Sequence, residues 1–549
     1  MTYDPTEWLQ ERAYTPEMLA LARVILEEMK QGADLAQALR RNPLPDGGGH
    51  VAKHVLVAAY HNLVSSGEWP EDPDLLARIR MKPIRTLSGV TTVTVLTKPY
   101  PCPGKCIFCP TDVRMPKSYL PDEPGAARAF QNDFDPYRQV RSRLEAYEAV
   151  GHPIDKIELL ILGGTWSAYR RDYQEWFIRR CFDAMNETEA TTLEEAQQVN
   201  ETAAHRNVGL VIETRPDEIT PKEIAWLRKL GVTKVQLGIQ SLDDEILQLN
   251  QRGHSAAQAL RAATLLRAAG FKIVAHWMPN LLGATPEKDR ADFARLWLEA
   301  GAGWGLCPDE IKIYPTQLLE LADLYAYWQR GEYQPYSTET LIDLIADVKP
   351  TIPEYCRVNR VIRDIPSTHV VEGNKRTSLR QDVLAELARR GQACRCIRCR
   401  EIGGHPVDPA SLELIDRVYH PANAEEHFLH FRTPGKLASG GDRIAGYLRL
   451  SLPDCGEKYV TVPELELPDL ENAALIREVH VYGQALAVGS EAPGAAQHMG
   501  LGTALLERAS EIARSRGYTR LAVISAIGTR RYYEARGFAP GELYLIKPL

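Results

Sequence analysis

No apolar run in this sequence approaches the ~20 residues that a bilayer-spanning helix needs. The N-terminus, MTYDPTEWLQER, also lacks the pattern of a secretory leader. Both absences point to a cytoplasmic protein with no membrane partner. A disulfide framework is excluded by spacing: of ten cysteines, six fall into two tight clusters, as metal ligands do. The chain as a whole lacks the cationic excess of a general nucleic-acid binder, since its net charge is −7. Local distribution matters more than the sum. From Arg78 to Lys105 there is no Asp or Glu, while Arg78, Arg80, Lys82, Arg85, Lys98 and Lys105 are all basic. The 549 residues suffice for about three or four domains.

The first cysteine cluster follows an alternating β-branched strand (Thr91, Val93, Val95) and reads Cys102-x3-Cys106-x2-Cys109. Three thiolates so spaced can hold three irons of a [4Fe–4S] cluster and leave the fourth iron open. An open iron can chelate and reduce S-adenosylmethionine. A structural cluster would need a fourth cysteine nearby, and the next one is Cys181. A zinc knuckle is the rival reading. Phe108, just before the third cysteine, adds to the resemblance of this stretch to radical S-adenosylmethionine enzymes.

Before this loop, residues 1–75 read as helical, with Thr15 as N-cap and apolar positions at Leu19, Leu21, Ile25 and Met29. The loop 42–50, NPLPDGGGH, lies among Lys30, Arg40, Arg41, Lys53 and His54. It reads either as a solvated face or as an arm that binds nucleic-acid phosphates. Residues 76–370 alternate strand and helix as a parallel sheet requires, with strands expected at 157–164, 208–214, 234–241, 272–279 and 310–316. Ligands on such sheets lie beyond the carboxyl ends of the strands. There stand Gly163, Gly164 and Thr165, then Glu213, Arg215 and Asp217, then Gln236, Gln240 and Ser241. They are candidate contacts to S-adenosylmethionine. Lys312 and Tyr314 alternate with Ile311 and Ile313 and are expected to face the same mouth.

Residues 371–405 form a link, helical in the second half of Gly373–Arg390, that ends in CRCIRCREIGGH. Cys394, Cys396 and Cys399 suit a structural zinc, which needs four ligands. Cys307, Cys356 and His405 are candidates for the fourth, with Cys307 favoured because it would staple the barrel to the link. Residues 406–549 have the order of a GNAT acetyltransferase: strands at 444–453 and 475–483, a glycine-containing turn opening a helix at 497–517, then YYEARGF. Gln497, Met499, Gly500, Gly502 and Thr503 resemble the loop that cradles an acyl-CoA pyrophosphate. Glu478, Val479, His480 and Val481 are candidate contacts on the preceding strand. Tyr533 is the better match to the family tyrosine near the thioester, with Tyr532 packing.

The segments KPIRTLSGV, DKIELLILGGT, IETRPD, QLGIQS, NQRGH, VAHWMP, IKIYPT and VIRDIPS occur in one order around the three-cysteine loop. That series closely resembles the family of the Elongator catalytic subunit. The chain departs from eukaryotic members in having only Pro-Gly-Lys between the first two cysteines. The resemblance implies a multidomain α/β fold with a helical segment, a radical S-adenosylmethionine partial barrel and a GNAT domain, and this chain's own thiols add the zinc-stapled link. It further implies carboxymethylation of the wobble uridine of tRNA. A 5′-deoxyadenosyl radical would abstract hydrogen from the acetyl-CoA methyl, and the carbon radical would add to C5 before the thioester is hydrolysed. Lys156 matches a family lysine implicated in acetyl-CoA contact and is, with Tyr533, a candidate catalytic residue. The tRNA anticodon stem-loop would meet Arg78, Arg80, Lys82, Arg85, Lys312, Tyr314 and Arg360, together with Arg357 and Arg363. An electron donor must reduce the cluster, and oligomerisation is left open. The rival function is a protein lysine acetyltransferase with a structural iron–sulfur lobe, and a third is a tRNA-binding module alone.

Overall fold

The computed structural model describes residues 14–45, 49–301, 305–403, 408–434, 442–453, 459–482 and 500–549. The expected contacts Gln497 and Met499, and His405 as a metal ligand, lie outside these residues.

Four helices open the described chain, Pro16–Lys30, Leu35–Arg41, Lys53–Ser65 and Pro73–Ile79. Thr15 caps the first by accepting from Met18 N at 3.2 Å, and Pro16 occupies the first turn, where its missing N–H costs nothing. Ile25, Leu26 and Met29 on that helix and Val55, Leu56 and Tyr60 on the third share one buried core.

Seven parallel strands follow: β1 (Thr91–Leu96), β2 (Lys156–Leu162), β3 (Arg206–Thr214), β4 (Lys234–Gln240), β5 (Lys272–Trp277), β6 (Glu310–Ile313) and β7 (Arg357–Arg360). They pair in sequence order, as crossover connections with helices on one face demand. Period-two alternation splits each strand between two environments. On β2, Ile157, Leu159 and Ile161 are buried against helices, whereas Lys156, Glu158, Leu160 and Leu162 line an inner cavity. Because β1 pairs only with β2, its other edge would be open. Helix Pro136–Glu148 covers it: Gln139 bonds both N and O of Leu96 at 2.9 Å, and Tyr147 Oη donates to Thr92 O at 2.9 Å.

The second sheet contains β8 (Glu413–Tyr419), β9 (Ala424–Arg432), β10 (Ile444–Pro453), β11 (Ala473–Val481), β12 (Arg520–Val523), β13 (Ala539–Pro540) and β14 (Leu545–Pro548). Its order is β13-β14-β12-β11-β10-β9-β8. Only β11 and β12 are parallel, and they pair from Ala473–Arg520 to Ile476–Val523 and no further. Strand β11 continues to Val481 without that neighbour, so a gap opens at the N-terminus of helix Leu501–Ser515.

A buried ionic knot joins the two sheets. Arg477 on β11 reaches Asp309, before β6, and donates to Glu426 on β9 at 2.9 Å. Arg449 on β10 lies 3.4 Å from Asp309 and bonds Glu478 at 3.0 Å. These five side chains are at most 7% exposed. Charges so deeply buried are tolerable only when each is met by its opposite.

Candidate active site

One cavity of about 1320 Å3 runs along the inside of the parallel sheet and ends against the second sheet. Its lining is set by strand alternation. The carboxyl-terminal end holds the three-cysteine loop with Glu213, Gln236, His276, Lys312 and Tyr314. The amino-terminal end is closed by Glu478–Tyr482, Gly500, Gly502, Thr503, Tyr532 and Tyr533. Between them stand the inward charges Glu158, Lys234, Lys272 and Glu310.

At the cysteine end, Thr165 Oγ1 lies 3.4 Å from Cys102 Sγ. Gly163 and Gly164 adopt φ of 130° and 91°, and a Cβ on Gly163 would collide with Thr97 Oγ1. Arg252 Nη1 donates to Cys106 Sγ at 3.3 Å, and Arg215 Nη2 donates to Arg252 O at 2.9 Å. The Cys109 thiol, together with Arg252 and Arg215, outweighs burial and brings Cys106 down to about 5. Arg215 also grips Asp217 at 2.9–3.2 Å, yet its buried Nη1 has no hydrogen-bond partner. A guanidinium held beside thiolates with an orphaned donor suits a negatively charged group.

The three thiols fit an iron–sulfur cubane. Among the described residues, only Cys394, Cys396 and Cys399 bring three histidine, cysteine or acidic ligand atoms within 4.8 Å of one another. Cys102, Cys106 and Cys109 line the cavity together beside the Arg252 and Arg215 guanidinium groups, a donor set of three thiols that suits a cluster with one open iron.

Deeper in, Gln236 Oε1 accepts from Lys312 Nζ and from His276 Nε2, the latter at 2.9 Å. His276 therefore carries its proton on Nε2. Burial, with Lys312, Arg363 and Arg252 nearby, keeps that ring neutral. Tyr119 Oη donates to Glu213 at 3.3 Å, and burial raises the Glu213 carboxyl. At the far end Gly500 caps helix Leu501–Ser515 at φ 70°, with open space where a Cβ would stand. Gly502 lies directly under Tyr532 Oη, so a Cβ would not fit without moving that ring.

Several expected contacts have other partners. Glu478 is engaged by Lys272 Nζ at 2.9 Å and Arg449 Nε at 3.0 Å, so it braces the junction of the sheets. His480, kept neutral by burial at about 4, stacks on Tyr447 and lines the cavity with Val479 and Val481. The tyrosine pair divides by exposure. Tyr533 is 6% exposed and packs on Phe538, while Tyr532 is 36% exposed and holds its hydroxyl over Gly502. Both line the cavity. Lys156 also lines it, and burial, only partly opposed by the Asp155 charge, lowers its ammonium.

The expected phosphate-binding set is divided too. Arg78 is tied to Met29 O and Ala33 O, and Arg80 donates to Gly151 O at 2.6 Å. Arg360 pairs with Asp364, Arg363 with Glu123, and Arg357 with Glu401. Lys82 and Arg85 are exposed, and Arg85 lines the cavity with Lys312 and Tyr314.

Cys307 does not join the second cysteine trio: its thiol is turned to Leu298 O at 3.4 Å. Cys307 is wholly buried. The group beside the trio is Lys349, whose Nζ donates to Cys399 Sγ at 3.5 Å and which is wholly buried. The backbone does staple link to barrel, since Ile397 N donates to Cys356 O at 2.9 Å.

Sequence reasoning named neither Arg252 nor His276 as a site residue, and it passed over the belt Glu158, Lys234, Lys272 and Glu310. Arg252 and His276 lie in two motifs that carried the resemblance, NQRGH and VAHWMP. The belt residues give no local signal, because a charged residue opening a strand reads as solvated.

Comparison with known proteins agrees with this architecture. Residues 99–296 match the Radical SAM superfamily, 308–389 the Radical_SAM C-terminal domain and 408–538 the Acetyltransferase (GNAT) family. The protein called tRNA uridine(34) acetyltransferase in Dehalococcoides mccartyi (strain CBDB1) is 43% identical over 476 residues, 85% of this chain and 99% of that one. Elongator complex protein 3 of Homo sapiens is 34% identical over 491 residues, 86% of this chain and 87% of its own length. A solved structure of the archaeal Methanocaldococcus infernus Elp3, lacking residues 1–46, superposes with a TM-score of 0.71 at 38% identity. It covers 84% of this chain and 99% of that one. With a radical S-adenosylmethionine sheet and a GNAT sheet closing one cavity, and with relatives of this identity over most of its length, the chain belongs to the Elongator complex protein 3 family.

Proposed function

We propose that this chain modifies uridine 34 of tRNA, forming 5-carboxymethyluridine from acetyl-CoA. The observation that supports this best is the single cavity, which reaches the three-cysteine loop at one end and the GNAT helix N-terminus at the other. An ordinary lysine acetyltransferase has no use for such a continuous space, because its acetyl group leaves through the GNAT cleft alone.

Cys102, Cys106 and Cys109 would hold the [4Fe–4S] cluster, with Gly163, Gly164, Thr165, Glu213, Arg215 and Gln236 around S-adenosylmethionine. When bound, the two supply a hydrogen-abstracting carbon radical. The chain's own residues bind, orient and exclude water. Gly500, Gly502 and Thr503 present backbone N–H groups to the acyl-CoA phosphates. Tyr532 and Tyr533 border the thioester end, and Lys156 stands at the same rim. The neutral His276 and the Lys312–Gln236 pair form a dry polar wall on which a flipped uracil finds donors and acceptors along its edge. Lys82, Arg85 and the basic N-terminal loop meet the tRNA backbone. Cys394, Cys396 and Cys399 hold a structural zinc, beside which Lys349 offsets the charge of three thiolates.

The test is anaerobic: reconstituted protein, dithionite, S-adenosylmethionine, methyl-labelled acetyl-CoA and bulk tRNA, followed by nucleoside mass spectrometry. Label in a carboxymethylated uridine that disappears with Cys106→Ala supports the proposal. Label found only on protein lysines, and indifferent to that substitution, supports the acetyltransferase reading instead.

A further inference from the structure

Most arginines chosen from sequence for phosphate contact are consumed by internal acceptors, as described above. Arg85 is not, and two arginines outside that choice join it. Arg85 stands on the turn before β1, Arg128 on helix Pro124–Gln131 and Arg143 on helix Pro136–Glu148. Three separate segments thus bring guanidinium groups to the wall of the cavity beside the edge strand β1. None of the three side chains has a hydrogen-bonded or ion-paired carboxylate among the described residues. The carboxylates nearest in sequence are already engaged: Glu123 by Arg363, and Glu145 by Arg141. Arg143 is held in place by the Tyr147 ring, 3.8 Å below its guanidinium carbon.

This grouping is costly without a counter-ion. Arg128 is half-buried, and burial first, then the charges of Arg143 and Arg85, lower it to about 10. His152 behind the group is lowered to about 4 by burial and by Arg80, Arg85 and Arg143, so it adds no charge of its own. Folded proteins do not keep like charges together in a half-dry wall unless an anion is to arrive there. A planar guanidinium is the donor that grips phosphate oxygens in pairs.

We infer that Arg85, Arg128 and Arg143 form a phosphodiester-binding notch that receives the RNA backbone beside the target uridine. The inference rests on the tRNA reading given under Proposed function. The notch sits on the wall of the cavity that contains the reacting groups, so it fixes where the strand runs as the base turns inward. Contacts of this kind position a nucleic acid without reading its sequence. They also give binding a characteristic dependence on salt, because each neutralised phosphate releases counter-ions. The acyl-CoA phosphates are a second source of the same chemistry, but the N-terminus of helix Leu501–Ser515 already offers them a cradle.

The experiment measures tRNA affinity of the full chain against salt for the unsubstituted protein, Arg85→Gln, Arg128→Gln, Arg143→Gln and Arg143→Lys, with acetyl-CoA affinity measured in parallel. Circular dichroism melts identify any variant that fails to fold, and Arg85→Gln, on an exposed turn, serves if a helix variant does. Each glutamine variant is expected to reduce the slope of log affinity against log salt by about one. Affinity should fall about tenfold or more at moderate salt, with acetyl-CoA binding unchanged. Arg143→Lys keeps the slope and loses part of the affinity. Slopes equal to the unsubstituted protein's, or a loss of acetyl-CoA affinity in place of tRNA affinity, would overturn the notch alone. Absence of salt-dependent tRNA binding by the unsubstituted chain would overturn the tRNA reading itself, and the notch with it.

Discussion

Lys272 Nζ lies 2.9 Å from Glu478 Oε1, a contact between the fifth strand of the parallel sheet and the central strand of the acetyltransferase sheet. The pair sits inside the shared cavity and hands its charge on to Arg449 and the buried knot around Asp309. The two halves of the site are therefore joined by ions, not only by apolar packing. That choice makes the junction sensitive to substitution and to acid.

Replacing Glu478 by Gln leaves Lys272 and Arg449 without their shared anion. Breaking a buried pair from one side costs about 3–5 kcal/mol. Differential scanning calorimetry should show a lowered unfolding temperature, and acetyl-CoA affinity should fall with it. An unchanged melt would mean that the junction does not depend on this carboxylate.

Acid tests the same knot. Burial alone would raise Asp309, but Arg477, Arg449 and Arg267 outweigh it and hold its carboxyl down at about 2. A depressed carboxylate contributes stability that is fully present above its unfolded value near 4 and lost as pH falls towards 2. The shift corresponds to about 2 kcal/mol. Stability followed from pH 5 to pH 2 should decline with this component, and Asp309→Asn should flatten the decline while lowering stability at neutral pH.

Glycine at 502 is required by space as well as by backbone approach. A Cβ there would displace the Tyr532 hydroxyl and intrude on the helix N-terminus. Gly502→Ala should weaken acetyl-CoA binding by about tenfold, the loss of roughly one charge-assisted hydrogen bond. Isothermal titration reads this directly. Iron content and S-adenosylmethionine cleavage in the absence of tRNA should be untouched, since the cysteine loop is at the other end.

Metal removal separates the two cysteine groups. Treatment with a chelator strong for zinc should release one metal from Cys394, Cys396 and Cys399 and lower the melting temperature, leaving the visible absorption of the reconstituted cluster intact. Cys396→Ser should reproduce the loss of zinc. Metal analysis showing no zinc in protein purified without chelator would remove this proposal.

Much of the parallel sheet was legible, because inward and outward residues alternate and strand ends carry glycines and charged clusters. Strands β2 to β6 lie within a few residues of their expected places, and Thr15 caps where its spacing indicates. The last strand, β7, was not foreseen: it is four residues long and mostly polar. The same brevity hid β12 to β14, and β8 is exposed along nearly its whole length, so it carries no apolar period. Arg78, Arg80, Arg360 and Arg363 looked like one basic surface because charge is visible in sequence. Their partners, Met29 O, Gly151 O, Asp364 and Glu123, are not.

The sequence by itself determined the two chemistries, since thiol spacing and a glycine-opened helix are local patterns that need only a few consecutive residues. It also determined the sheet class, because periodicity is a property of each strand alone. Only the tertiary structure decided that the two sites face one cavity, that Cys307 is turned away from the other thiols, and which arginines remain open to a phosphate. Those outcomes depend on pairs far apart in the chain, such as Lys272 with Glu478, whose meeting is set by how sheets pack.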